Sequence, residues 1–338
     1  MSQDRSFAVY PDDWLAPPDR PDATATQRVP ALVPGRRVVG YSAVLLPHTA
    51  GGEVDWPGFE SLLGRTLAAG LIPAVNMDTG YVQLLSEVDR ARVLATAAAL
   101  AGPGGFAAGA FVPDAEGDAY DADAYGRATA EVAEAGGTPV LFPSWGLASL
   151  SEDGWVGAQA ALGAKLDRFI AFELGDMFVP YGRIYSLEAY RGLLGVPSCI
   201  GAKHSSLSRQ AEWDRLALRN DVRADFSVFT GNDLAIDMVC YGSDYLLGLS
   251  AFAPEAFAER DRRWAAEEAS FHEMNDLLQY LGFFAFRAPV PGYRHNAAMF
   301  LQLRGWIDSD ATPEGAPRRP DSDRAVLADI ADRLEVML

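Results

Sequence analysis

The chain has 338 residues, enough for one large domain or two small ones, and is 49% hydrophobic and 22% charged, the balance of a globular protein with a sizeable core. Its net charge of −18 leaves no basic stripe to neutralise phosphates, which argues against nucleic acid and anionic membranes as partners, though a locally positive pocket could still take a small anion. No apolar run reaches membrane-spanning length and Met1 opens a polar segment unlike a signal peptide, so a cytoplasmic, reducing location is expected.

Residues 1 to about 36 are rich in Pro, Asp and Arg and read as an extended arm. From Arg37 onward, short apolar runs alternate with Ala-rich helical stretches. The first strand is expected within Val38–Leu46. Asp55 then caps a helix that Gly70 stops. Ile72–Met77 is the second strand, and Ser86 with Asp89 resembles a capping box opening the second helix. Phe106–Val112, Thr138–Phe142, Phe169–Leu174, Cys199–Lys203, Phe226–Phe229 and Asp244–Leu249 complete a set of eight strands. Helices are expected between them at Asp121–Ala135, Glu152–Leu166, Ser186–Leu194, 207–219 and Leu234–Tyr241. Strands too uniformly apolar to face water on one side, each followed by a helix, predict a (β/α)8 TIM barrel over 37–265. The alternative, a doubly wound sheet, would usually carry a Gly-rich phosphate loop after its first strand, and none is present. Residues 266–338 read as a C-terminal helical extension, with a long apolar helix over Phe271–Phe286 and a final one from Ser322.

The two cysteines, Cys199 and Cys240, lie in apolar contexts and read as buried thiols. The four histidines show no metal-ligand spacing, and neither a metal nor a cofactor is expected. The chain has only two lysines, Lys165 and Lys203, against 28 Lys and Arg together. Arginine cannot form an imine, whereas a lysine amine deprotonated by burial attacks carbonyls. Lys203 closes the apolar run Cys199–Lys203, so it is either a Schiff-base nucleophile or a strand-end lysine that snorkels to water.

In a TIM barrel, chemistry collects at the C-terminal ends of the strands. Those ends read Pro47-His48-Thr49, Asp78-Thr79-Gly80, Pro113-Asp114, Ser144-Trp145, Glu173, Lys203, Asn232-Asp233 and Gly248–Phe252. Alternation along Phe169–Leu174 puts Glu173 on the face with Ala171 and, on this reading, into the barrel. There it would be a general acid/base, the alternative being an ion-paired glutamate.

Several segments in order then resemble one family. They are Gly51-Gly52-Glu53-Val54-Asp55-Trp56 with Ala69-Gly70, Asp78-Thr79-Gly80 with Leu85-Ser86, Ile200-Gly201-Ala202-Lys203-His204-Ser205-Ser206, Thr230-Gly231-Asn232-Asp233, and Tyr241-Gly242-Ser243-Asp244 with Ala253-Pro254-Glu255. The pattern resembles the dihydrodipicolinate synthase / N-acetylneuraminate lyase family of class I aldolases, from about residue 38 to 330. The resemblance implies a Schiff base between Lys203 and pyruvate or another 2-oxo acid, whose carboxylate the backbone around Thr79 and Gly80 would hold. It implies aldol cleavage, condensation or dehydration, and a homo-oligomer, dimer or tetramer. It also implies that Arg183 binds the far carboxylate of a second substrate.

Departures from the family pattern are informative. The tyrosine expected at the end of strand five falls on Phe172 or Glu173, and the tyrosine pair after strand four becomes Ser144-Trp145. Trp145 then reads as a pocket wall, and Tyr181 or Tyr185 could supply the missing phenol. Asp78 replaces a threonine and is either a proton relay or substrate selector, or a helix cap. His48 could touch substrate or be a loop histidine; His204 should point away from Lys203, and Asp233 should fix the turn after strand seven. The missing tyrosines also admit a catalytically silent barrel that binds a 2-oxo acid or sugar acid.

Overall fold

The computed structural model describes residues 29–338. Most of the expected N-terminal arm lies outside the described residues. Within 29–39 the chain forms no helix or strand, and Arg36 pairs with Asp244 at 2.7 Å.

Eight parallel strands close into a barrel in sequence order: β1 Gly40–Ala43, β2 Ile72–Val75, β3 Ala107–Ala110, β4 Thr138–Leu141, β5 Phe169–Leu174, β6 Cys199–Ser205, β7 Ser227–Thr230 and β8 Asp244–Leu247. The helices follow the sequence signals closely. Helix α1 (Trp56–Ala68) starts where Asp55 accepts from the Gly58 N–H and ends at Gly70, whose φ of +81° few other residues tolerate. Helix α2 (Glu87–Ala101) is capped by Ser86 on the Asp89 N–H, and α3 (Ala122–Glu134) by Asp121. A one-turn helix α4 (Trp145–Ala148), not expected from sequence, precedes α5 (Glu152–Gly163); it is too short to carry a periodic signal. Helices α6 (Leu187–Leu194) and α7 (Arg209–Val222) follow β5 and β6. Between β7 and β8 the expected helix is only a 3-10 stretch, Ile236–Tyr241. Helix α8 (Pro254–Ala265) closes the ring, and α9 (Ser270–Ala285), α10 (Tyr293–Leu303) and α11 (Asp323–Met337) follow it.

Alternation along the strands sorts side chains into two layers. The barrel interior holds Ala43, Ala74, Val140, Phe142, Ile170, Phe172, Leu174 and Phe229. Phe169 and Ala171 face the helices instead, packed with Trp155, Tyr190 and Leu193. A second outer core joins α1, α2 and α8–α11 through residues such as Phe59, Phe257, Leu278, Phe300 and Leu327. Both cysteines are buried and free. Among the described residues no helix is long and apolar enough to cross a membrane.

Candidate active site

Lys203 stands on β6, paired in register with Phe172 of β5 and Phe229 of β7. Its face of the strand therefore points into the barrel, near the C-terminal rim. It is 4% exposed, with Nζ over the Phe172 ring at 4.2 Å from the centroid. Burial lowers its pKa below the ordinary 10.5, while Asp78 and Asp233 pull the other way. Nζ lies 3.7 Å from Asp78 Oδ1. The result is a buried amine with an enlarged neutral fraction, the condition for nucleophilic attack on a carbonyl.

Room for this amine comes from Gly231, just past β7. A Cβ there would overlap Ser205 Oγ and come within 2.9 Å of Lys203 Cε. Gly231→Ala is therefore expected to push the amine off its position and slow its reaction with an added aldehyde reagent by about 10²-fold, read as the rate of reductive methylation of Lys203. A normal rate would show that the position of Lys203 does not depend on this glycine.

Asp78, Thr79 and Gly80 form a 3-10 turn directly after β2, all three buried. Asp78 Oδ2 accepts from the Tyr293 hydroxyl at 2.8 Å, and Thr79 Oγ1 lies 2.8 Å from the same hydroxyl. The Gly80 N–H already donates to Met77 O at 3.0 Å. Asp78 is thus no N-cap: it sits inside the turn and faces the lysine. Asp233, expected to fix the turn after β7, instead ties that turn to the end of β8, accepting from the Leu249 N–H at 2.7 Å. Burial also pushes its carboxyl up to about 7, against that bond and the Lys203 charge.

Glu173 overturns its sequence reading. It pairs with His204 in register, on the face opposite Phe172 and Lys203, and lies outside the barrel, fully buried under α7. Arg215 grips both carboxylate oxygens, Nε on Oε2 and Nη2 on Oε1, each at 2.6 Å. His204 Nδ1 lies 2.9 Å from Oε2, and the Tyr185 N–H donates to Oε1 at 3.0 Å. Burial alone would raise this carboxyl, but Arg215 and His204 reverse that and hold it at about 2. It is an ion-paired anchor, not a general acid. Phe172 therefore occupies the inward position. Alternation alone does not say which face is inside; a TIM barrel fills its interior with large side chains, and in β5 these are Ile170, Phe172 and Leu174.

The other expected residues divide between two regions. Trp145 and Tyr181 meet at the rim with ring centroids 5.4 Å apart. With Arg183, Gly117 and Asp118 they line a cleft of about 520 Å³. Tyr181 also packs against the interior cluster, and its hydroxyl is pushed up to about 12 by burial, then by Asp114 and Asp78. The cationic end of Arg183 turns aside: Nη1 donates to the carbonyls of Ala148 and Leu150 at 3.0 and 2.6 Å, so those donors are not free for a carboxylate. Tyr185 stacks on Trp155 at 3.9 Å in the helix layer, away from the amine. His48 is buried at the end of the segment after β1, Nδ1 lying 3.1 Å from Leu46 O and its ring edge-on to Tyr81. None of these contacts involves Lys203.

Arg215, Tyr293 and Arg294, which hold Glu173 and Asp78, escaped the sequence reading. Arg215 carried a signal, since it lies one helical turn from Glu212 on the buried face of α7. Tyr293 carried none that a barrel rule could use, because α10 lies beyond the eight strand–helix units.

No family model matches the chain, and no curated protein matches its sequence. Solved structures do. A dihydrodipicolinate synthase from Thermotoga maritima is similar with a TM-score of 0.74 and 17% identity, over 89% of this chain and 100% of that one. A prophage protein of the dihydrodipicolinic acid synthase family from E. coli K12, in complex with pyruvate, gives 0.74 and 16%, over 88% and 98%. The chloride-inhibited dihydrodipicolinate synthase from Acinetobacter baumannii, complexed with pyruvate, gives 0.71 and 18%, over 89% and 100%. At these identities the likeness is one of architecture: the chain has the fold of the dihydrodipicolinate synthase structures, a TIM barrel followed by C-terminal helices.

Proposed function

We propose that this chain is a divergent class I aldolase-type lyase of the dihydrodipicolinate synthase / N-acetylneuraminate lyase family, in which Lys203 forms a Schiff base with pyruvate or another 2-oxo acid. One observation carries the reading: a lysine almost fully buried on the inner face of β6, its pKa lowered by burial, with a carboxylate 3.7 Å from Nζ. The ordered run of family-like segments around Lys203 supports it, as does the shared fold. The imine is an electron sink, so a C–C bond beside it can be broken or made, or water eliminated. Asp78 is the nearest acid/base group, and the Trp145–Tyr181 cleft would take the part of the substrate beyond the imine. Self-assembly as a dimer or tetramer belongs to the same reading.

Borohydride added with pyruvate is expected to leave a stable adduct on Lys203, found by peptide mass spectrometry. Labelling of Lys165 alone, or of nothing, would sink the assignment. The altered relay positions favour a second outcome worth measuring: trapping without turnover of any aldol would mark a binding barrel.

A further inference from the structure

The Lys203 site is completed from outside the barrel. Tyr293 and Arg294 open α10, and each grips a different part of Asp78. The Tyr293 hydroxyl donates to Asp78 Oδ2 at 2.8 Å, while Arg294 Nη1 donates to the main-chain oxygen of Asp78 at 3.1 Å. A phenol has one proton, and that proton goes to Asp78. The 2.8 Å contact with Thr79 therefore runs the other way, with Thr79 Oγ1 donating. Donors point in one direction, from Thr79 to Tyr293 to Asp78. The series ends on Asp78 Oδ2, and the other carboxylate oxygen, Oδ1, makes no hydrogen bond and faces Lys203 Nζ at 3.7 Å. Tyr293 is itself fixed. Its ring stacks on Phe286 with centroids 4.2 Å apart, and Gly248 leaves it space that a Cβ, 3.1 Å from the ring, would crowd. Burial, then the nearby Asp78 charge, holds its hydroxyl protonated, well above the ordinary phenol range.

We propose that Tyr293 is a positioning residue of this site, holding Asp78 so that Oδ1 serves as base and then acid in imine formation; this rests on the Lys203 imine reading above. The lysine ammonium passes a proton to Oδ1. The freed Nζ lone pair adds to the carbonyl carbon as the C=O π pair moves to oxygen. Two protons in all travel from nitrogen to that oxygen through Oδ1. The C–O bond then breaks, water leaves, and Nζ keeps one proton as the iminium. Ammonium and carbonyl have become iminium and water, and Asp78 is a carboxylate before and after.

The test is the rate of trapped adduct on Lys203 at saturating pyruvate, in the wild type, Asp78→Asn, Tyr293→Phe and the double variant. Asp78→Asn is expected to slow trapping by about 10²-fold or more. Tyr293→Phe keeps the stacked ring and should slow it by about 10-fold, through the lost charge-assisted bond. Because Tyr293 acts through Asp78, the double variant should be no slower than Asp78→Asn, and the half-saturating pyruvate concentration should move by less than about 3-fold. Thr79→Val, which leaves both groups intact, should slow trapping less than Tyr293→Phe, with the same non-additivity. Wild-type rates in Tyr293→Phe and Thr79→Val, or losses that simply add to that of Asp78→Asn, overturn the proposal while the imine stands. No adduct in the wild type overturns the imine reading and this proposal with it.

Discussion

Lys203→Arg should abolish the trapped pyruvate adduct and lower turnover by on the order of 10⁴-fold or more, as loss of a covalent nucleophile does. The substitution keeps a positive charge opposite Asp78 and a side chain that can lie over the Phe172 ring, so the fold should survive it. What it removes is the ability of the nitrogen to lose a proton and bond to carbon. The pH profile gives a second check. Burial lowers the amine below its ordinary 10.5, with Asp78 and Asp233 limiting the shift. Because both protons of the released water come from the ammonium, trapping by the wild type should hold while the ammonium–Asp78 pair is intact and fall once the pH passes that lowered value, below 10.5. An adduct that persists in Lys203→Arg, or a rate that climbs through 10.5 as for a free lysine, would remove Lys203 from the chemistry.

Glu173→Ala should destabilise the protein by about 3–5 kcal/mol, because it strands a buried guanidinium that has lost both its bonds to a carboxylate. Urea unfolding measures this, and a loss below about 1 kcal/mol would show that Arg215 finds other partners. The pH dependence has a definite sign. The folded pKa of Glu173, about 2, lies below its ordinary 4.5. Its stabilisation is complete above about 4.5 and fades as the pH falls toward 2. His204 acts in the same direction: burial, then Arg215, lowers it to about 4 from 6.5, so it refuses a proton that the unfolded chain accepts. The contribution of His204 should thus decline from about 6.5 downward, and the gap between wild type and Glu173→Ala should narrow between 4.5 and 2. Kept below its own unfolding temperature, the variant should still form the pyruvate adduct, since Glu173 lies on the far side of the strand from Lys203. That result would separate a structural role from a catalytic one.

The barrel was legible because its signals are local. Asp55, Ser86 and Asp121 cap helices within three residues of themselves, and each apolar strand run stands alone as a pattern. The position of Lys203 followed from counting strands. The facing of β5 did not, since Ile170, Phe172 and Leu174 are as apolar as Phe169 and Ala171, and only the fill of the interior separates the two sets. The partners of Glu173 and Asp78 were harder still. Arg215 lies 42 residues from Glu173, and Tyr293 lies 215 from Asp78, so no periodicity links either pair. Contacts of that reach exist only once the chain has closed on itself. The same limit explains Arg183, whose surroundings, the carbonyls of Ala148 and Leu150, belong to a one-turn helix and loop with no pattern of their own.

The grip of α10 on Asp78 has a consequence for how the protein comes into being. Synthesis runs from N- to C-terminus, and all eight strands, with Lys203 on β6 and Asp78 in the turn after β2, emerge before Tyr293 and Arg294 do. Until those two residues leave the ribosome, a nascent barrel carries its amine without the clamp on the neighbouring carboxylate. The last helices are thus the finishing step of the site, and a chain halted before Tyr293 would hold its lysine in a half-built setting.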